Sequence, residues 1–451
     1  MRDRFRWLLA GIVTSGLIVT ACAGAGSATA PAGTTGSASP TQLPSSATPI
    51  AASPSATQDL SGVTLTLYQF ASMPQAEKDL TTDFVKATGI QVDIQPIPDG
   101  GEAGMLAKWV AGERPDLLYW HGSIFWMSAL SPADNLQDLS QEPVVAKLPA
   151  TLVQGLNYNG VRGIPLVPPD IFGILYNKAI FTQLKLQPPK TAADLLTLCK
   201  QIRTANPKLN PMFQAGSQTF ALQSIQAMMQ SQVAKDDPSI ADKLNTNKAK
   251  WTDSEFQAVY NVDAQVRDAG CNQNDFITGT FEQEQKAITD GSTAMVPWST
   301  SLVYLIASKY PAEGIGFAPV SLTSDVTSYG YFGTETLVLP KSGDPKKEAA
   351  ARVYLEYVTS TDYQKFLNAG KYYPVISGFD VPAGVPSAVQ QANQDLTNAV
   401  PALAGGLACD YGDLPTFMQE LYLNKISVAQ VTANMQAAWE RSCKAKGQPG
   451  F

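Results

Sequence analysis

The stretch Tyr158–Phe181, YNGVRGIPLVPPDIFGILYNKAIF, constrains the chain more than any other. Val161–Val167 alternates and follows an Asn159-Gly160 turn, so it reads as a short strand. Pro168-Pro169-Asp170 then stops regular structure, because neither proline has an N–H to donate to a ladder. A second apolar run, Ile171–Tyr176, begins at once. Strand, stiff break, strand describes either a chain that leaves one sheet for another or two neighbouring strands with a proline-rich corner.

Length bounds the number of cores. At 451 residues the chain exceeds one ordinary core and suffices for two or three domains. Strand Val63–Phe70, helix Gln75–Thr88 closed by Gly89, strand Gln91–Pro96, helix Gly104–Ala111 and strand Leu117–Trp120 alternate, as right-handed crossovers on a largely parallel sheet require. Beyond the break the pattern is mostly helical. A capping box at Thr191–Asp194 opens a helix to about Thr204. Thr219–Ala234, rich in Gln, Met and Ala, reads as a buried helix. A second box, Thr252–Glu255, opens a helix ending at Gly270, and Phe276–Asp290 and Pro345–Ser360 are further helices. Glu282 and Glu284, two apart on a helix, share no face and are expected to be solvated.

The N-terminus addresses the chain. Arg2, Arg4 and Arg6 precede an apolar run, Trp7–Thr20, too short for a membrane span, which ends in Val19-Thr20-Ala21-Cys22. Small residues before a cysteine in this setting resemble a bacterial lipobox, which implies a signal peptide over 1–21, cleavage before Cys22 and lipidation there. Residues 22–61, mostly Ala, Gly, Ser, Thr and Pro, have little to bury and are expected to be a disordered tether. The remaining cysteines, Cys199, Cys271, Cys409 and Cys443, suit two disulfides in an exported chain. Of three pairings, Cys199–Cys271 with Cys409–Cys443 keeps each pair within one segment.

Function is bounded first by exclusion. Net charge is −7 and no basic run stands out, which argues against nucleic acid as a partner. A single histidine, His121, argues against a His-rich metal site and most Ser-His-Asp arrangements. No GxSxG, HExxH, P-loop or GxGxxG occurs, so no catalytic residue, metal or cofactor is assigned.

Five motifs in order carry a resemblance. They are aromatic-Asn-Gly, Gly-Ile-Pro and Leu-Tyr-Asn-Lys within Tyr158–Lys178; Pro115-Asp116-Leu117; Asn135-Leu136-x-x-Leu139; Gly291-x-x-Ala294-Met295 with Trp298; and Gly370-x-x-x-Pro374. Over about residues 62–445 the chain resembles family 1 of the extracellular solute-binding proteins of bacterial ABC importers, whose familiar member is the maltodextrin-binding protein. Pro297 replaces the glycine that usually precedes the tryptophan. The resemblance implies an α/β fold of two lobes, each a mostly parallel sheet flanked by helices, hinged at 166–172 and 332–336. Lobe one is expected over 62–167 and 296–332, the chain returning to it along the Gly291–Trp298 strand; lobe two is expected over 171–295 and 336–451. It implies a monomer that passes a solute to ABC-importer permease subunits, held at the cell membrane through its lipid anchor.

The solute is expected to be a sugar or oligosaccharide. In open α/β sheets ligands bind beyond the carboxyl ends of strands. Large aromatics fall there: Trp120 after one strand, Trp298 after another, Tyr331 before the second hinge and Tyr373 before Pro374. Gln69, His121, Asp170, Glu335 and Asp413 offer polar partners for hydroxyls. Trp120 and Trp298 are the foremost ligand candidates. A non-sugar solute (polyamine, peptide, iron complex or phosphate ester) on the same fold, and a surface-anchored carbohydrate-active enzyme, are the alternatives.

Overall fold

A computed structural model describes residues 59–451, except 72, 99–100, 325, 327, 331–334, 395 and 397–398. The leader, Cys22 and the tether lie outside the described residues, as does Tyr331.

Two sheets organise the chain. The first contains β1 (Thr64–Phe70), β2 (Gln91–Ile97), β3 (Leu117–His121), β4 (Ile164–Pro165) and β10 (Glu335–Val338), in the order β2-β1-β3-β10-β4. β1 runs parallel to β2 and β3, while β10 is antiparallel between β3 and β4. The second is built around β5 (Asp170–Asn177). β6 (Asn210–Met212) and β7 (Thr293–Ser299) lie on one side of it. β8 (Ile315–Ala318), β9 (Ser328–Gly330) and β11 (Val400–Pro401) lie on the other. The proline-rich break does separate two sheets, and the chain passes between them again between Gly330 and Glu335. The first strand is shorter than its alternation predicts. Only Ile164 and Pro165 join the ladder; Val161 bridges Asn157 and the Arg162 N–H donates to the Leu156 carbonyl, so the backbone there is already paired with the preceding segment.

The expected lobe boundaries need correcting downstream of Asp290. β7, with Trp298, does not return to the first sheet; it pairs antiparallel with β5 from Phe172 opposite Ser299 to Tyr176 opposite Met295. β8 and β9 also pair with β5, so 296–330 belongs to the second lobe. β10 pairs with β3 in the first lobe. The helices Pro345–Glu356 and Tyr363–Gly370 follow it there, Tyr354 bonding to Thr81 and Lys365 pairing with Asp83 of the first helix. A central strand with two free edges recruits partners on both, and β5 takes the strands that follow its own helices.

Local signals fix most helix ends. Gln75–Thr88 stops at Gly89, whose φ of 75° suits glycine and whose N–H caps the carbonyl of Val85. Thr191 and Asp194 form the reciprocal capping box, opening Ala192–Ala205. The Thr252 box does not form. Asp253 is the cap residue of Ser254–Asp268, and its carboxylate accepts instead from the Lys250 N–H. The run from Phe276 breaks at Gly279, and a box at Thr280 with Gln283 restarts it as Phe281–Asp290. That register carries Glu284 inward, where it is fully buried with both oxygens unpartnered, contrary to its expected exposure. Burial pushes its carboxyl well above the usual carboxylate range. Cys199 pairs with Cys271 and Cys409 with Cys443, with Cα atoms 5.1 and 5.3 Å apart, inside ordinary disulfide spacing. Both disulfides brace helices of the second lobe. Among the described residues no helix is long and apolar enough to cross a membrane.

Candidate functional site

A cleft of about 300 Å³ opens on the second sheet where β5 begins and β7 ends. Asp170 and Phe172 reach it from β5, and Trp298 and Ser299 from β7. Its opposite wall is the turn Thr219–Gln223 and the helix Ser224–Asp236, which packs across β5, β7, β9 and β11. Gln223, Gln226 and Gln230 line the cleft from that wall. Spaced three and four apart, they share one face. Tyr411 and Leu414 close the remaining side.

Asp170 is the cleft's single carboxylate among its described lining residues. It accepts from the Ser301 N–H at 3.1 Å, in the first turn of the helix Thr300–Ala307, where an anion is favoured. Burial nonetheless raises its carboxyl to about 6, against the opposing pull of hydrogen bonds from Ser301 and Ser299. The neighbouring hydroxyls of Ser299 and Ser301 lie 2.8 Å apart. Trp298 is half-buried, one side against Phe281 with centroids 5.1 Å apart. Gln230 is oriented by donating to the Tyr260 hydroxyl at 3.3 Å. Gln226 is 1% exposed, and neither its amide oxygen nor its amide nitrogen has a partner. Two unpaired polar atoms beside a cleft leave hydrogen-bonding capacity for an occupant. Aromatic planes, neutral amides and one carboxylate around a concave space make a binding site. Among the described residues no group of acidic, His and Cys side chains is arranged to hold a metal.

The residues expected to bind fall into separate groups. Asp170 and Trp298 line the cleft together. Trp120 is a correction. It is fully buried in the first lobe, stacked on Phe70 at 6.0 Å and donating to the Trp126 carbonyl, so it has no face for a ligand. Its strand, β3, lies between β1 and β10, and the ring points into the packing between sheet and helices. Gln69 is buried on β1 with its amide oxygen unpartnered. His121 sits 3.2 Å from Glu102 beneath Phe70 and Trp126, its ring held below the ordinary histidine range by burial against the opposing effect of Glu102. Neither borders the cleft. Asp413 is spent on capping, its carboxylate accepting from the Thr416 N–H and hydroxyl. Tyr373 packs on the core, and its N–H donates to the Tyr304 hydroxyl. Glu335 is opposite His121 in the β10–β3 register.

The glutamine face was legible in principle. Three Gln at helical spacing in a helix otherwise buried all round are costly unless something pairs with them. Phe172, Ser299 and Tyr411 carry no such signal, since their position depends on which strands neighbour β5.

Two α/β lobes joined by crossing segments, with a polar-aromatic cleft at one lobe's strand ends, define a periplasmic-binding-protein-like fold. Residues 69–365 match the bacterial extracellular solute-binding protein family, more than half of the chain, and the protein belongs to that family. Solved structures agree in fold. The binding protein MsmE of Bacillus subtilis, in an open conformation, is 18% identical with a TM-score of 0.73, over 86% of this chain and 100% of that one. A sugar transporter from Bacillus licheniformis in complex with stachyose is 18% identical with a TM-score of 0.62, over 85% and 100%. The GacH receptor of Streptomyces glaucescens, solved unliganded and with acarbose, is 16% identical with a TM-score of 0.65, over 84% and 98%. No curated protein matches the sequence significantly.

Proposed function

We propose that this protein captures a carbohydrate in the cleft beside Trp298 and delivers it to the permease of an ABC importer. The observation that carries the reading is Trp298 and Asp170 side by side on the sheet wall of one cleft, facing the glutamines of the opposite wall. A sugar offers a C–H face that lies on an aromatic ring and hydroxyls that donate to a carboxylate and exchange hydrogen bonds with amides. Family membership supports an extracytoplasmic binding role, and the sugar complexes of similar structures support the choice of cargo.

The cleft's chemistry also weighs against the alternatives. No Lys or Arg is among its described lining residues, so an anionic phosphate ester has no counter-charge. A polyamine would meet one carboxylate where several cationic centres need pairing. Glycoside hydrolysis uses two carboxyl groups flanking the bond, and the described lining supplies one. We therefore read the protein as a binder that returns its cargo intact.

We further propose that the mature chain begins at Cys22, carries acyl groups there and acts as a tethered monomer. The charged leader, the apolar run and the Val19–Cys22 pattern support this. The mass of membrane-extracted protein is expected to start at Cys22 with added lipid; a mature chain starting elsewhere or without acyl mass contradicts it.

The cargo is tested by calorimetry against neutral oligosaccharides, spermidine, short peptides, ferric siderophores and sugar phosphates. Saturable binding of a neutral sugar, recovered unhydrolysed, is expected. Binding confined to a non-sugar class overturns the reading.

A further inference from the structure

The two disulfides stand differently towards the cleft. Cys199 is on the helix Ala192–Ala205, and Cys271 follows the helix Ser254–Asp268. Neither helix, nor the segment 269–275, supplies a residue to the cleft's described lining. Cys409 stands among residues that do. Ala404 precedes it, and Tyr411 and Leu414 follow it.

We propose that Cys409–Cys443 positions this third wall of the cleft, so that it sets ligand affinity, whereas Cys199–Cys271 contributes to stability alone. The inference rests on the cleft being the binding site, and on the carbohydrate reading for the choice of probe.

The wall has no regular structure to hold it. Residues 407–413, between the turn Leu403–Gly406 and the helix Leu414–Tyr422, are neither helix nor strand. Such a segment keeps one geometry through its surroundings, or else a ligand must order it at a cost in conformational entropy.

Those surroundings converge on the C-terminal helix, Val428–Ala445. The Asp410 N–H donates to the Ser442 hydroxyl at 2.9 Å, and Lys446 donates to the Ala408 carbonyl at 2.7 Å. The Tyr411 ring packs on Trp251, centroids 5.5 Å apart, and the Trp251 N–H donates to Gln436 of the same helix. From the other flank, the Asn245 amide donates to the Gly406 carbonyl and accepts from the Ala408 N–H, both at 2.9 Å.

The hydrogen bonds made directly to the wall are partly buried or exposed, so water competes and each has a modest net effect. The disulfide is covalent and buried, Cys409 being 2% exposed and Cys443 0%. Two residues of chain reach at most about 7 Å, so a fixed Cys409 confines Tyr411. By contrast, Cys199–Cys271 closes the longer stretch, a separation of 72 residues against 34. On the loop-entropy account the longer closure stabilises more. The two disulfides should therefore rank in opposite orders for stability and for affinity.

The test compares two pair variants of the full chain, Cys409→Ala/Cys443→Ala and Cys199→Ala/Cys271→Ala. Maltotriose, cellotriose, xylotriose and triacetylchitotriose are titrated calorimetrically, and the one that wild type binds most tightly is carried to the variants. The first pair should bind it about ten- to thirtyfold more weakly, with the smaller fall in ligand-free melting temperature. The second should keep wild-type affinity and show the larger fall. Hydrogen exchange adds a local readout that general destabilisation does not produce. In the ligand-free first pair, amides of 407–413 should exchange at least about tenfold faster, and saturating trisaccharide should restore them, while the facing helix Ser224–Asp236 is unchanged.

Should the first pair fail to fold, Cys409→Val/Cys443→Ala restores volume without the link and serves in its place. Failure of both to fold makes this disulfide a condition of the fold and overturns the proposal. Unchanged affinity without the Cys409–Cys443 link, or equal loss in both pairs, also overturns it and leaves the cleft standing. If wild type binds none of the trisaccharides, the carbohydrate reading falls, and exchange at 407–413 still decides: rates raised in the first pair alone support the positioning role, and unchanged rates overturn it.

Discussion

Trp120 of the first lobe and Trp298 of the second lobe are alike in sequence, each a large aromatic at the end of a strand, yet they do opposite work. Trp120 is fully buried and stacked on Phe70. Trp298 keeps part of its surface at a cleft and shares it with Asp170. The difference lies in the neighbours. β3 is enclosed by β1 and β10 with helices packed on the sheet, so its side chains have only core to enter. Trp298 sits at the end of β7, where the chain turns into Thr300–Ala307 and the facing helix presents glutamines in place of apolar side chains. An aromatic becomes a ligand surface when the element opposite it is polar and stands off, and that is a tertiary fact.

Four predictions probe this contrast. The largest effect is expected at Trp120. Trp120→Ala opens a core cavity and should cost about 3–5 kcal/mol of stability, read by denaturant titration, with ligand affinity nearly unchanged in whatever folds. Loss of affinity without loss of stability would return Trp120 to the binding site.

Trp298→Ala should behave in reverse. Removing a stacking surface of this size accounts for roughly 2–4 kcal/mol of binding, or about thirty- to a thousandfold in Kd, with a small change in ligand-free melting temperature. Full affinity in this variant, with a large drop in stability, would make both tryptophans core residues.

The third prediction concerns Glu284, which belongs to neither site. Its folded-state pKa is raised by burial, so its contribution to stability is intact below the unfolded carboxyl value of about 4.3 and is lost as pH rises through the folded value. Glu284→Gln should leave stability at pH 4 nearly unchanged and raise it at pH 8, read by denaturant titration at both pH values. Equal stability of the two proteins across that range would show that Glu284 pairs or hydrates in solution.

The smallest effect is the pH dependence of binding through Asp170. The carboxylate that accepts ligand hydroxyls is present above about 6 and is lost below it. Affinity should be flat from pH 8 to 7 and weaken by up to about tenfold towards pH 5. Asp170→Asn should bind more weakly at neutral pH and abolish the slope. A wild-type profile with no slope would take Asp170 out of the contact.

Much of the fold was legible in the chain. The proline-rich break after Val167, the Gly89 stop and the Thr191 box are local signals that local chemistry decides, and the disulfide pairing that keeps each pair within one segment is the one that forms. Lobe membership after residue 290 was not, because β7, β8 and β9 join β5 by edge pairing over long sequence separations. Glu284 is an intermediate case. It sits three residues before Ala287 and four before Ile288 on the buried stripe of its helix, a periodicity that foretold burial. The site divides the same way. Asp170 and Trp298 announce themselves by position at strand ends, while Gln226 becomes meaningful once a cleft is seen beside its unpaired amide.

Everything proposed for the cleft depends on a sugar resting on Trp298 with a hydroxyl bound to Asp170. A crystal structure with the tightest-binding neutral glycan decides it. The expected complex has a pyranose or furanose face against the Trp298 ring, with a ring hydroxyl within hydrogen-bonding distance, about 2.5–3.0 Å, of an Asp170 oxygen. Glycan density elsewhere on the protein, with this cleft empty, would contradict it.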